Sequence, residues 1–178
     1  MKKISKLIAL VLSTVMVLTL LTACSMAGDS FANFDRKFKS DSAKQSEILE
    51  EVNSIRKGLG NSALKETRQA DAIAKKYAAL YTLHHFNKIT TPVYDDYRQK
   101  LDATTINGHT HIGRATVGGE GNNGIPNSND LYRWYTASRY QTGSWASYSK
   151  VFLSSDATVV GIAVVEMDGY CQTVIVTF

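Results

Sequence analysis

Apolar residues recur along this chain with two different periods, and each period predicts a different kind of element. Ile48, Leu49, Val52, Ile55 and Leu59 return every three or four positions, the spacing that gathers side chains on one face of an α-helix. Ser42 and Gln45 upstream have the form of a capping box, and Gly58 and Gly60 end the run, so a first helix is expected from Ser42 to about Gly58. A second, over about 65–83, carries Ile73, Ala74, Tyr77, Ala78, Leu80 and Tyr81 on one broad face, with His84 and His85 at its C-terminal end. A shorter helix is expected over 93–101, after Pro92. The Gly- and Asn-rich middle, 107–129, predicts one short strand over about 112–117 and then a long loop. Asn127, Ser128, Asn129 and Asp130 offer N-caps for a helix that holds Leu131, Trp134, Tyr135 and Ser138 and ends near Tyr140. Residues 159–166 and 170–178 are apolar β-forming runs on either side of Asp168-Gly169, a dipeptide suited to the positive φ of a tight hairpin turn. Helices first and a hairpin last predict an α+β fold with an antiparallel sheet, not a series of βαβ units.

The first 24 residues follow neither period. Lys2, Lys3 and Lys6 precede an almost unbroken apolar run, 7–21, that stops at Leu21-Thr22-Ala23-Cys24. This is the architecture of a secretory signal, and its last four residues resemble a bacterial lipobox, in which the cysteine receives a diacylglyceryl group and becomes the mature N-terminus. Ser13, Thr14 and Thr19 interrupt the run, which falls short of the roughly 20 apolar residues that span a bilayer. Residues 1–23 therefore read as a signal peptide and Cys24 as the lipidation site. Two or more acyl chains, at about 0.8 kcal/mol per buried methylene, anchor a protein that one chain would hold only marginally. The expected location is the outer face of the cell membrane, with the membrane itself as a partner through the lipid. Residues 25–41 mix Gly, Ser, Asp and Lys without a sustained period and read as a tether. Residues 24–43 are thus assigned to the lipidated N-terminus and tether, and 44–178 to one domain.

Charge changes the picture only after that cut. The 178-residue chain carries a formal +4, but removing the three signal lysines leaves 17 basic against 16 acidic residues, about +1. No basic block remains, so nucleic acid is not an expected partner. Cys171 is the one cysteine besides Cys24, which leaves no internal disulfide to form in an oxidising compartment. No Gly-x-Ser-x-Gly elbow, phosphate loop or Cys-His pair is present.

Four stretches, in order, carry a family resemblance: "LEEVNSIRKGLGNSAL", with Asn53 and Arg56 one turn apart; "AIAKKYAALYTLHH"; "VGGEGNN"; and "WYTAS" followed by "VVGIAVVEMDGYCQTVIVTF". Together they resemble the CAP domain, the SCP-like family of cysteine-rich secretory proteins, antigen 5 and pathogenesis-related 1, in its short bacterial form. The resemblance implies an α-β-α sandwich with a central cleft where two histidines and two acids converge, sometimes around a divalent metal. His85, or His84 beside it, matches the first histidine. Glu120 matches the first acid, although Gly-Glu-Gly-Asn replaces Gly-Glu-Asn. Six residues after Trp134, where the pattern has its second histidine, stands Tyr140, and two residues after it Thr136 replaces the second acid.

The cleft candidates are therefore His84, His85, Glu120, Trp134 and Tyr140, and no catalytic residue is assigned. His85 and Glu120 make two ligands, where a catalytic metal site takes three and an open position. His109 and His111 could add donors if they share a strand face, but a two-histidine stretch in a glycine-rich region reads as solvated polar surface. No metal and no cofactor are expected. The function expected is that of an envelope lipoprotein that binds a ligand or protein partner through an incomplete His/acid cleft. The rival readings are a peptidoglycan hydrolase using Glu120 as acid/base with His85, and a non-catalytic interaction scaffold.

Overall fold

The closing hairpin, read from its turn dipeptide, forms the middle of the main sheet. The computed structural model describes residues 38–137 and 145–178. In chain order its elements are β1 (Lys39–Ser40), α1 (Ser42–Gly58), β2 (Lys65–Glu66), α2 (Arg68–His85), α3 (Thr91–Asp102), β3 (Thr105–Ile106), β4 (His109–Thr110), β5 (Gly113–Glu120), a 3-10 turn (Gly121–Gly124), α4 (Ser128–Ala137), α5 (Trp145–Leu153), β6 (Val159–Met167) and β7 (Tyr170–Thr177). Asp168 and Gly169 both take positive φ, 52° and 79°, and close the β6–β7 hairpin at the pair Met167↔Tyr170. The right-handed twist of the flanking strands selects that turn. β5 adds antiparallel to β7, from Gly113↔Thr177 to Glu120↔Tyr170. On the far side of β6, β1 pairs antiparallel and β2 parallel, two residues each. The sheet order is β1-β6-β7-β5, with β2 beside β6.

Strand alternation sends the two faces of this sheet to two helical layers. Val160, Ile162, Val164, Ile175 and Ala115 project toward α1, α4 and α5, where they join Ile48, Val52, Leu131, Trp134, Val151 and Phe152 in one buried cluster. Their opposite neighbours face α2, which lies across β6 and β7. Every residue of β7 is buried, as expected of a central strand covered on both faces. The class is α+β and the layer order α-β-α. The sheet departs from the pure antiparallel expectation only at β2.

Gly161 explains how closely α2 seats. A Cβ on it would stand 2.1 Å from the carbonyl carbon and oxygen of Ala70, so only glycine lets the helix backbone approach the strand. The next residue uses that proximity: the Ile162 amide donates to Asp71 Oδ1 at 3.1 Å.

The caps correct two helix starts and match a third. α1 is capped by Asp41, whose Oδ1 accepts from the Lys44 amide at 3.0 Å, and not by a Ser42–Gln45 box; the Gln45 side-chain Nε2 donates instead to Ser40 Oγ at 3.4 Å. Residues 39–43, expected in the tether, thus supply β1 and the opening of α1. Thr67 caps α2 through the Ala70 amide at 3.2 Å, which leaves Lys65 and Glu66 outside the helix, as β2. At α4, Asn127 and Asp130 bond each other's amides reciprocally, both at 3.1 Å, a capping box at the predicted place. Tyr140 and Ser138, expected to close that helix, lie outside the described residues.

Two residues of the first quoted stretch prove to be clamps. Asn53 pairs with Leu64 as a strand would, donating to its carbonyl at 3.1 Å and accepting from its amide at 2.8 Å. Arg56 is wholly buried and faces no carboxylate among the described residues. Its Nε donates to the Ser62 carbonyl, its Nη1 to those of Val151, Phe152 and Ser154, and its Nη2 to that of Ala157, at 2.9–3.3 Å. Asn61 adds bonds to the Phe152 and Leu153 carbonyls. Val151, Phe152 and Leu153 carry the last carbonyls of α5, which have no partner within their own helix, and a cation there also complements the helix dipole. Burial pulls the guanidinium pKa below its ordinary value.

Candidate functional site

The end of α2 lies over the hairpin end of the sheet, and the side chains follow from that placement. The His85 ring stacks on Tyr170 with centroids 4.0 Å apart and planes 16° from parallel. Phe86 stands edge-on to both, at 5.0 Å and 5.7 Å. Tyr170 is the direct cross-strand partner of Glu120, and residues so paired project from the same face. His85 and Glu120 therefore flank one tyrosine, both exposed. No hydrogen bond or ion pair joins the two among the described residues.

Tyr170 is held from below. Its hydroxyl donates to Gln172 Oε1 at 3.4 Å, and the Gln172 amide nitrogen is fixed by Thr116 Oγ1 at 2.6 Å and the Val117 carbonyl at 2.7 Å. A Cβ on Gly118 would fall 2.0 Å from the Tyr170 hydroxyl, which accounts for the first glycine of "VGGEGNN" as the space this ring needs. Burial raises the Tyr170 phenol above its usual pKa. The result is an imidazole laid flat on a fixed phenol, with one face open and a carboxylate across the strand pair. Such a platform can stack a flat or ring-shaped group and hydrogen-bond its edge.

The adjacent histidines diverge. His84 turns to α3, stacks on Tyr94 at 4.4 Å and places Nε2 3.4 Å from Thr91 Oγ1. Trp134 lies on the other face of the sheet, 8% exposed, within the α1-α4-α5 core and edge-on to Tyr148 at 5.2 Å. The five sequence candidates thus separate: His85 and Glu120 gather at Tyr170, His84 packs beside them against α3, Trp134 stands beyond the sheet, and Tyr140 lies outside the described residues.

Sequence reasoning missed a polar cluster between α2, α3 and β5. Asp102 Oδ1 accepts from the Tyr77 hydroxyl at 2.6 Å and from Arg114 Nη1, and Oδ2 accepts from Arg98 Nη1 at 3.3 Å. The Arg114 guanidinium lies over the rings of Tyr77 and Tyr81, 4.7 Å and 5.8 Å from their centroids. Burial drives both phenols far above their ordinary pKa, and at Tyr77 the bond to Asp102 adds to the effect. His111, expected as solvated surface, is half-buried between Tyr77 and Phe178.

Two grooves lie elsewhere. One of about 560 Å³ runs between α1 and the start of α4, edged by Lys44, Glu47, Glu50 and Glu51; its deep floor, Ile48 and Leu131, is closed, so it is a solvated crease between helices. The other, about 350 Å³, lies beside β1 and reaches Cys171, whose thiol pKa is raised by burial. Among the described residues, no three His, Cys, Asp or Glu side chains come together as a metal-ligand group, and no helix is long and apolar enough to cross a membrane.

No family model and no curated protein matches the chain. Several solved structures superpose on it, among them the following three. A cysteine-rich secretory protein from Staphylococcus aureus aligns over 78% of this chain and 39% of its own, at 17% identity and a TM-score of 0.45. An outer surface protein from Borrelia burgdorferi aligns over 78% and 96%, at 15% identity and 0.44. The CAP domain of enterococcal PrgA aligns over 71% and 56%, at 16% identity and 0.44. The chain therefore spans well under half of the staphylococcal protein and little more than half of the enterococcal one.

Proposed function

We propose that this chain is an envelope lipoprotein of CAP type, held at the membrane through Cys24, that binds a ligand or partner on the platform of His85, Tyr170 and Glu120. The observation that carries the reading is the His85–Tyr170 stack, 4.0 Å between centroids. A solvent-exposed imidazole is normally free to rotate, and ordering it costs side-chain entropy; here a buried phenol with its own hydrogen-bonded support holds the ring in place. The lipobox and signal segment support the location, and the four quoted stretches support the family. Among the described residues, no third His, Cys, Asp or Glu side chain joins His85 and Glu120 in a metal-ligand group, which favours binding over a metal-dependent hydrolase.

The test is NMR mapping with soluble peptidoglycan fragments, followed by analysis of the fragments for cleavage. Ring resonances of His85 and Tyr170 should shift on titration, Glu120→Gln should weaken the effect, and the fragments should stay intact. Perturbations confined to other parts of the surface would sink the binding platform. Cleavage that disappears in Glu120→Gln would replace it with the hydrolase.

A further inference from the structure

His111 differs from the other three histidines in one respect: its Nε2 is fully buried and has no hydrogen-bond partner among the described residues. The ring is 6.0 Å from Tyr77 on α2 and 5.7 Å from Phe178 beyond β7, edge-on to the latter. The charges that act on it are Asp102 of α3, Arg114 of β5 and Lys150 of α5. A neutral imidazole fits this place. With its proton on Nδ1 it leaves Nε2 bare, so no buried N–H is orphaned. A second proton reverses the balance, because the new N–H has no acceptor among the described residues and the new charge is desolvated by burial.

We propose that His111 is an acid-sensitive latch, so that taking up a proton from solvent on Nε2 loosens the corner where α3 ends and β5 begins. The route is fixed by the neighbours. Among the described residues, Asp102 supplies the only carboxylate acting on the ring, and its two oxygens already accept from Tyr77, Arg114 and Arg98. A protonated His111 must take Asp102 from those donors or leave the pocket. Either movement frees the end of α3, because Asp102 is its last residue, and strains the start of β5, because Arg114 is its second.

Burial is the main cause that holds the imidazole's pKa below its ordinary value; Asp102 pulls the other way, and Arg114 and Lys150 lower it further. For a histidine depressed in the folded state, the unfolded chain binds the proton first. The stability linked to neutral His111 is therefore complete above the unfolded pKa, near 6.5, and is lost as pH falls through the folded value.

The test is amide hydrogen exchange of the full chain, read by NMR as protection relative to intrinsic rates, between about pH 7.5 and about pH 5. The reporters are the amides of Ala103 and Thr104, bonded to the Gln99 and Leu101 carbonyls, and of Ile112, bonded to that of Thr177. Protection at these three should drop on acidification, with a midpoint that matches the His111 ring titration, while the Leu59 amide at the far end of α1 keeps its protection. In His111→Phe, which keeps an aromatic ring without the titrating nitrogens, the drop should vanish. If that variant does not fold, the coincidence of the two midpoints in the natural chain still decides. Unchanged protection through the ring's titration, or a loss that persists in His111→Phe, overturns the latch.

Discussion

Replacing Arg56 by methionine is expected to cost the fold about 3–5 kcal/mol. Methionine keeps most of the length and apolar stem but removes every donor. Five N–H···O=C contacts disappear, each worth about 1.5–3 kcal/mol when the donor is charged. Their gross sum overstates the loss, because a guanidinium no longer has to leave water, a saving of several kcal/mol. What remains is the cost of carbonyls at the end of α5 that no longer have a partner. A domain of this size is stable by about 7–20 kcal/mol, so the variant should unfold at clearly lower urea and melt about 10–15 °C earlier. Urea titration followed by far-UV circular dichroism measures it. Arg56→Lys separates charge from geometry: an ammonium keeps the dipole complement but cannot reach five carbonyls spread around a planar fork, and should recover less than half of the loss. A methionine variant within about 1 kcal/mol of the natural chain would refute the clamp, and full rescue by lysine would show that charge alone matters.

Three other outcomes are expected. Gly161→Ala should destabilise by about 1–3 kcal/mol, since its Cβ meets the Ala70 backbone and a helix must move; an unchanged thermal midpoint would mean that α2 does not seat as described. Gly169→Val, at φ +79°, should lose about 1 kcal/mol or more through backbone strain alone, as it has open space around it; calorimetry that finds no loss speaks against the turn. Cys24→Ala should abolish incorporation of labelled fatty acid and release the protein from the detergent phase, and label on that variant would refute the lipid anchor.

Periodicity exposed the long elements because their burial is one-sided or complete over many residues. The faces of α1 and α2 and the β6–β7 hairpin stand where the apolar pattern and the Asp168-Gly169 dipeptide put them. Two-residue strands such as β1 and β2 carry no period at all, since pairing with β6 defines them. α5 was missed because Val151, Phe152 and Leu153 crowd one end of it and leave no repeat to read. At the site, the end of the second helix was legible, but the partner of His85 was not. Tyr170 reads in sequence as one more strand aromatic, and it becomes the ring under His85 only when helix and hairpin are superposed. His111 was misread for a related reason: the rings around it, Tyr77 and Phe178, come from distant segments.

The treatment of β6 has a consequence for how copies of this chain meet. Its outer edge is a row of β-branched and apolar residues whose backbone groups could template another strand. Two separate pieces of chain, the start of α2 and the residues before α1, occupy that edge instead. The Thr67 amide takes the Val160 carbonyl, Asp71 takes the Ile162 amide, and the Asp41 amide takes the Val164 carbonyl. An uncovered edge would present a sticky margin to every neighbouring copy. Asp71 bears the part of that duty done by a side chain alone, its carboxylate standing in for a strand. Its loss should therefore appear first as concentration-dependent self-association, with the monomer still folded.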